Sequence, residues 1–442
     1  MCRCWPNWSW TPDAKECCLK RPQDTHFPWT LGTQPSFSGG NAVELLRGGD
    51  ALFPAQIAAI DQARHEVWLA TYIFHDDEAA LATAQALCRA ALRGVRVRVV
   101  VDGFGSKSSL AWLRQQLAQA PVALAVFRPI DRWWNWLHPG QLRRLHQKLC
   151  VVDGDVAFVG GINIIEDRVD LHHGRTETPR LDFAASLRGP VVRPVEQAVR
   201  AVWTRAWLGH DFGDELRAMV RSAAPMRRAR RLMRRVRMPR ASHRVTDPRQ
   251  LPPVRVAFVL RDNLRQRRTI ERAYVNAIRG ATARVDLITP YFYPGHRFRR
   301  ALKDAAKRGV QVRLLLQGKV DYRIAALAAH ALYDELLGHG VQIFEYTPAF
   351  LHAKVCVVDN DWATVGSSNI DPLSLLLNLE ANVVVQDAGF AGDVVRAFDA
   401  AVAQSRRVEQ PDGKGLRGML RRALVAWVAY VYLRVAGATG RY

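Results

Sequence analysis

The sequence of 442 residues predicts an α/β protein built from two similar units in tandem. The chain is too long for one small core. A 20-residue segment occurs twice, and each copy follows the same alternation of helical and strand-like stretches, which is typical of a sheet with helices on its faces. Hydrophobic residues make up 49% and charged residues 24%, so wholesale disorder is excluded.

The internal repeat carries the main signal. Residues 145–164 read LHQKLCVVDGDVAFVGGINI and residues 351–370 read LHAKVCVVDNDWATVGSSNI. The two segments are identical at 13 of 20 positions at a constant offset of 206 residues. Such self-similarity indicates a duplicated structural unit.

The segments upstream of the two copies also correspond. Helical stretches begin near Ala51 and Thr269, and strand-like runs follow at 67–74 and 285–293. The next helices and strands are predicted at Leu81–Leu92 and Val95–Val101 in the first half, and at Arg297–Lys307 and Val310–Leu316 in the second. Gly94 and Gly309 stand where helices commonly end.

Five segments follow from these patterns. They are a poorly ordered Cys- and Trp-rich extension at 1–42, a first domain at 43–212, an Arg-rich linker at 213–252, a second domain at 253–405, and a basic and apolar tail at 406–442.

The net charge of +22 calls for an anionic partner, either nucleic acid or an anionic membrane. No stretch reaches the roughly 20 apolar residues of a spanning helix, and the N-terminus does not read as an export signal. The linker fits a basic amphipathic segment on a lipid surface as well as it fits a solvated or nucleic-acid-binding run. The Trp-rich loop 132–140 and the apolar stretch Ala423–Leu433 suggest interfacial contact, with core packing as the alternative for each.

The cysteines do not form a recognisable metal module. Cys2, Cys4, Cys17 and Cys18 lie within the first 18 residues, and the other three lie in apolar segments. This usage indicates a reduced cytosolic protein without a metal site.

Each repeat contains a His-x-Lys-x4-Asp pattern: His146, Lys148 and Asp153, then His352, Lys354 and Asp359. Residues i and i+2 of a strand face the same side, so each histidine and lysine should reach one site. The chain has only nine lysines against 54 arginines, and two of the nine occupy this position. Downstream polar residues suit phosphate binding because small side chains let donors approach closely; they are Asn163, Ser367, Ser368 and Asn369.

These residues resemble the phospholipase D superfamily, whose signature is a duplicated HxKxxxxD motif. The resemblance covers roughly residues 43–405, and within the superfamily it is strongest to the bacterial cardiolipin synthases of the short, type B kind. It implies two similar α/β sandwich domains related by pseudo-two-fold symmetry, with one shared active site and no cofactor.

The resemblance also implies roles for the site residues. His146 would attack phosphorus and form a phosphohistidine, and His352 would act as acid and base. Lys148 and Lys354 would stabilise the phosphate oxygens together with the downstream polar residues. Asp182 and Glu380 resemble the carboxylates that orient the histidines, whereas Asp153 and Asp359 are expected to bond turn backbone and a neighbouring lysine or arginine.

The expected reaction is transfer of a phosphatidyl group to phosphatidylglycerol, giving cardiolipin and glycerol. The expected location is the cytoplasmic face of the cell membrane, with peripheral attachment and no obligatory nucleic acid. A phosphodiesterase or nuclease acting on nucleic acid is the alternative, and a non-enzymatic anionic-surface binding module is a third. The second donor lipid and the oligomeric state stay open.

Overall fold

The computed structural model describes residues 35–129, 143–171, 174–220, 226–227, 233, 251–262, 266–319, 332–371 and 378–409, with backbone only for 209–220. The Trp-rich loop, most of the linker, the apolar tail and the N-terminal cysteines lie outside the described residues.

Among the described residues, the first half has eleven strands and four helices. They are β1 (Phe37–Ser38), β2 (Ala42–Arg47), α1 (Gly48–Asp61), β3 (Glu66–Thr71), α2 (Glu78–Leu92), β4 (Arg96–Asp102), α3 (Leu110–Leu117), β5 (Ala123–Phe127), β6 (Arg144–Leu145), β7 (Lys148–Val152), β8 (Val156–Gly160), β9 (Val169–Asp170), β10 (Gly174–Arg175), β11 (Phe183–Arg188) and α4 (Val192–Val220).

The second half repeats this order. Its elements are β12 (Arg255–Arg261), α5 (Thr269–Gly280), β13 (Arg284–Thr289), α6 (His296–Lys307), β14 (Gln311–Gln317), β15 (Gln342–Tyr346), β16 (Val355–Val358), β17 (Trp362–Gly366), β18 (Asn378–Gln386), α7 (Ala388–Val402) and β19 (Ser405–Arg407), with a further helical turn at 332–337. The helices and strands predicted from the two upstream segments are all present, within a few residues of their expected bounds.

The two halves form sheets of the same topology. The first sheet has the order β2-β11-β8-β7-β3-β4-β5, and the second has β12-β18-β17-β16-β13-β14-β15. In each, three strands run parallel and the motif strand, β7 or β16, runs antiparallel to its neighbour β3 or β13. The duplicated α/β architecture predicted from the sequence is therefore confirmed.

Alternating side chains of the motif strands enter different cores. Leu149 and Val151 of β7 join Val355 and Val357 of β16 in a central core that also includes apolar residues of α4 and α7. The alternate residues Cys150 and Cys356 face separate outer cores beneath α1–α3 and beneath α5–α6. Both sheets are thus covered on both faces, as their nearly continuous apolar strands require.

Short backbone pairings join the two sheets at the motif ends. β6, which precedes the first motif strand, pairs in parallel with β18 through Leu145 and Leu379. An isolated bridge joins Leu181 to Leu351, just before the second motif. These pairings place the start of each motif against the other half of the chain.

The observed elements cross several predicted domain boundaries. β1 lies within the predicted 1–42 extension and pairs with β12 of the second half. Helix α4 continues to Val220, beyond the predicted end of the first domain at 212. β19 includes Arg406 and Arg407, which the sequence pattern assigned to the tail. Among the described residues, we find no helix with the length and apolarity needed to cross a bilayer.

Candidate active site

The backbone of each motif histidine is held by the opposite half. The His146 N–H donates to the carbonyl of Leu379 at 3.0 Å, and the His352 N–H donates to the carbonyl of Leu181 at 2.9 Å. Both histidines precede their motif strands, so they lie at the ends of β7 and β16 where the two sheets meet.

The histidine side chains pair with carboxylates in a crossed arrangement. His146 Nδ1 lies 2.9 Å from Glu380 Oε2, and His352 Nδ1 lies 2.6 Å from Asp182 Oδ2. Glu380 and Asp182 are 0% and 2% exposed, so water does not compete for these bonds. Each half therefore supplies the carboxylate for the other half's histidine, although each carboxylate follows the histidine of its own half in the sequence.

The two lysines lie beside the histidines and are almost fully buried. Lys148 Nζ donates to the carbonyl of His146 at 2.8 Å, and Lys354 Nζ donates to the carbonyl of His352. Burial lowers the pKa of Lys148 to about 7 and that of Lys354 to about 8, against partial compensation by Glu380 and Asp182. An anionic group entering the site would favour the charged form of both lysines.

Protonation differs between the two histidine–carboxylate pairs. Burial lowers the pKa of His146 to about 4, so its ring is neutral at pH 7. Burial alone would raise the pKa of Glu380, but His146, Arg261 and Lys148 outweigh it and the pKa is lowered. A neutral ring whose Nδ1–H donates to a carboxylate leaves the Nε2 lone pair available.

The second pair retains a proton more easily. Burial raises the pKa of Asp182 to about 7, although Lys354 opposes this. Burial and the nearby lysines hold the pKa of His352 well below its ordinary value. Since the His352 Nδ1–Asp182 distance is short, the pair acts as one unit that can carry a proton near neutral pH.

Three of the four polar residues expected at the phosphate site lie near the motif ends. Asn163 Oδ1 accepts from the N–H of Ile73 at 3.3 Å, the Ser368 hydroxyl donates to the carbonyl of Asn369, and all three side chains are buried. Ser367 is placed differently. Its hydroxyl donates to Glu380 Oε2 at 2.5 Å, so it supports the orienting carboxylate.

The motif aspartates lie far from the histidines. Asp153 accepts hydrogen bonds from the N–H groups of Arg64, His65 and Glu66, each at 2.8 Å. Asp359 accepts equivalent bonds from residues 282–284. Each aspartate lies five positions after its lysine, about 17 Å of extended chain. These contacts with turn backbone agree with the expectation. The donors in these bonds are backbone N–H groups and not the lysine or arginine side chain that was also expected.

Two site residues were not found by sequence reasoning. The ring of Tyr72 lies 5.1 Å from that of His146, and Lys148 Nζ lies 5.5 Å from the Tyr72 ring. The side chain of Arg261 is 1% exposed, and its Nη2 lies 3.4 Å from Glu380 Oε1. Neither residue belongs to the 20-residue repeat, so the repeat gave no signal for them.

Two histidines, two lysines and two orienting carboxylates, brought together by a duplicated sheet, define the phospholipase D class of phosphodiester-processing enzymes. The family described as "Cardiolipin synthase, PLD-like domain" matches the chain at residues 56–174 and 274–402. The chain belongs to this family, and the superfamily membership expected from the sequence is confirmed.

Two named relatives match most of the chain. Cardiolipin synthase B of Escherichia coli (strain K12) is 36% identical over 355 residues, 80% of this chain and 79% of that protein. Cardiolipin synthase A of Pseudomonas putida (strain GB-1) is 30% identical over 424 residues, 92% of this chain and 79% of that protein. These matches confirm an enzyme of the phosphatidyltransferase kind.

A solved structure supports the fold. The crystal structure of phosphatidylserine synthase from Haemophilus influenzae Rd KW20 matches with a TM-score of 0.60 and 15% identity, covering 92% of this chain and 96% of that one. At this identity the match bears on the fold alone.

Proposed function

We propose that this chain is a cardiolipin synthase, which transfers a phosphatidyl group to phosphatidylglycerol and releases glycerol. The observation that carries the proposal is the crossed pairing of buried His146 and half-buried His352 with Glu380 and Asp182 in a chain 36% identical to cardiolipin synthase B. The pairing supplies two imidazoles in different protonation environments, which a two-step group transfer requires.

In the first step His146 is the nucleophile. Its Nε2 forms a bond to the phosphorus of the donor lipid, while the bond from phosphorus to the leaving oxygen breaks. His352 gives its proton to that oxygen. Glu380 accepts from the Nδ1–H of His146 and stabilises the positive charge that develops on this ring.

In the second step the direction of proton transfer at His352 reverses. The hydroxyl of phosphatidylglycerol gives its proton to His352 as its oxygen bonds to phosphorus, and the phosphorus–nitrogen bond to His146 breaks. Asp182 stabilises His352 when the ring is protonated. His352 therefore returns to its initial state and the enzyme turns over.

Lys148 and Lys354 stabilise the negative charge on the non-bridging oxygens in both steps, with Asn163, Ser368 and Asn369 as further donors. Compact ammonium groups suit this position because they can follow the oxygens as the geometry at phosphorus changes. Ser367 is excluded from this set because its hydroxyl is used by Glu380.

The test is product analysis with purified full-length protein and phosphatidylglycerol vesicles. Cardiolipin and glycerol should appear in equal amounts, and single-stranded DNA should stay intact under the same conditions. Cleavage of DNA without cardiolipin formation would overturn the proposal in favour of a nuclease.

We also propose peripheral attachment to the cytoplasmic face of the membrane through the linker and the tail, supported by the charge of +22 and the apolar stretch Ala423–Leu433. Deleting 418–442 should make binding to anionic vesicles fully reversible by salt, because the remaining attraction is screened. A truncated protein that resists salt as well as the parent would show that the tail does not insert.

A further inference from the structure

The two orienting carboxylates occupy equivalent positions in the duplicated sheets. Gly160 pairs with Ala184 in the first sheet, and Gly366, 206 residues later, pairs with Asn382 in the second. Counting back two residues from Ala184 and Asn382 gives Asp182 and Glu380. The duplication therefore predicts equal surroundings for them, and the structure shows that their surroundings differ at two places.

The first difference is at the residue that follows the equivalent strands β8 and β17. Gly161 stands in the first half, and a Cβ there would lie 2.3 Å from Asp182 Oδ1, so no side chain fits. Ser367 stands at the equivalent position, and its hydroxyl donates to Glu380 Oε2 at 2.5 Å. One carboxylate thus gains a hydroxyl donor that the other cannot have.

The second difference lies on the neighbouring strand. Arg261 of β12 is paired directly with Glu380. In the first sheet Arg47 pairs with Phe183, so Gly48 is the residue opposite Asp182, and its N–H donates to the Asp182 carbonyl at 2.9 Å. Gly48 has a φ of 73°, and a Cβ there would meet Asp167 Oδ2 at 2.6 Å. A side chain such as that of Arg261 is therefore impossible in the first half.

These differences change the number of donors and positive charges around each carboxylate. Glu380 receives a hydroxyl and a guanidinium whose Nη2 is 3.4 Å away, as well as an amide N–H from Asn378 at 3.2 Å. Asp182 is flanked by two glycines and accepts from the N–H of Phe183. The opposite pKa shifts of the two carboxyls agree with this arrangement.

We propose that Arg261 and Ser367 are positioning residues that keep Glu380 an ionised acceptor for His146, and that the glycines at 48 and 161 leave Asp182 free to share a proton with His352. The duplicated sheet thereby holds one histidine as the nucleophile and the other as the proton carrier. This inference rests on the proposed catalytic roles.

Other charged groups near this pair are retained in the variants below. In the described part of the chain, the groups besides Arg261 that act on Glu380 include His146, Lys148 and Lys354, and those besides Glu380 that act on Arg261 include Glu271, Tyr274 and Asp371. Since none of them is altered, a change in pH dependence reports the loss of Arg261 or Ser367.

The experiment compares Arg261→Met, Arg261→Lys and Ser367→Gly with the wild type, using full-length protein and bis(p-nitrophenyl) phosphate. This substrate contains no lipid, so failure of the inference can be separated from failure of the proposed cardiolipin synthesis, which is measured in parallel. The control is Arg313→Met, because Arg313 is also largely buried and ion-paired, with Asp286 at 2.6 Å and Asp399 at 2.7 Å, in another part of the sheet.

Arg261→Met should lower kcat about tenfold or more with little change in KM, since the buried positive charge 3.4 Å from Glu380 Oε1 is lost. It should also move the acidic limb of the kcat/KM profile up by about one pH unit or more, because the ionised form of Glu380 loses its opposite charge. Arg261→Lys should restore the limb, and Ser367→Gly should move it in the same direction as Arg261→Met.

A purely structural arginine would reduce activity equally at every pH, and that result for Arg261→Met would overturn the inference. The inference would also be overturned if the control Arg313→Met moved the acidic limb of the kcat/KM profile as far as Arg261→Met does. If Arg261→Met does not fold, Ser367→Gly and Arg261→Gln are compared with the wild type instead. An acidic limb of the kcat/KM profile that is unchanged in both variants would overturn the inference equally.

Discussion

Replacing Asp182 by Asn tests the crossed pairing most directly. Asp182 belongs to the first half, yet it contacts His352 of the second motif at 2.6 Å and not His146. The substitution keeps the size of the side chain and removes its charge. We expect it to impair the step that His352 performs and to leave the attack by His146 largely intact.

The size of the loss follows from the burial of this contact. Asp182 is 2% exposed. Loss of a hydrogen bond to a charged group costs about 1.5–3 kcal/mol, or roughly 10- to 100-fold in rate. An Asn amide that donates to Nδ1 also moves the ring proton to Nε2, and tautomer inversion of this kind has reduced turnover about 10⁴-fold in serine proteases. We therefore expect a loss of about 10²- to 10⁴-fold.

The assay uses a substrate with a p-nitrophenyl leaving group, which departs without protonation. Asp182→Asn should release close to one nitrophenolate per enzyme in a burst and then stall, because the acceptor alcohol cannot be deprotonated. The stalled enzyme should carry the phosphoryl group on His146, which peptide mass spectrometry can locate. Glu380→Gln should show no burst, because it impairs the nucleophile itself.

A missing burst in Asp182→Asn and a full burst in Glu380→Gln would refute the assignment of Asp182 to the proton carrier and of Glu380 to the nucleophile. The control is Asp286→Asn, which removes a carboxylate that is equally buried but ion-paired with Arg313 and Arg284 away from the motif ends. It separates loss of a buried charge, which lowers stability, from loss of catalysis in the folded protein.

The remaining predictions concern the motif residues themselves. His146→Ala and His352→Ala should each abolish cardiolipin formation, since one imidazole cannot serve both as nucleophile and as proton carrier; an active single variant, measured by product chromatography, would contradict the shared site. The KM for phosphatidylglycerol should rise above about pH 8, because the pKa values of Lys148 and Lys354 are lowered to about 7 and about 8 and their charge is lost as pH increases; a flat KM profile would show that both stay charged. Asp359→Asn should lower the unfolding free energy by about 1–2 kcal/mol at pH 7 without changing kcat, because backbone N–H donors lose a charged acceptor. Burial opposes the shift, but those donors lower the pKa of Asp359 below its ordinary 3.8. This stabilisation should therefore decrease as the pH falls below 3.8 and be lost below the lowered pKa, which a series of denaturant unfolding curves from pH 7 downward can measure.

The sequence alone predicted the order of elements up to the motif strand of each half. Apolar runs at strand spacing, glycines after helices, and the repeat at an offset of 206 residues are local signals. They correspond to α1, β3, α2, β4 and β7 in the first half and to α5, β13, α6, β14 and β16 in the second. The motif histidines and lysines were also predictable, because a residue pattern that occurs twice in register is unlike a single chance match. Both downstream carboxylates were found as well.

The pairing between those residues was decided by tertiary structure. Glu380 and His146 are 234 residues apart in the chain, and Asp182 and His352 are 170 apart. Which carboxylate reaches which imidazole depends on the pairing of β6 with β18 and of Leu181 with Leu351, between halves that no local pattern aligns.

The unequal surroundings of the two carboxylates were decided in the same way. In the sequence, Ser367 belongs to a small polar run that suits phosphate, and Arg261 is one arginine among 54. Only the sheet register places the hydroxyl and the guanidinium on Glu380 and leaves glycines beside Asp182. The physical reason is that a buried charge is set by the groups packed within a few ångströms of it, and these come from strands that are distant in the chain.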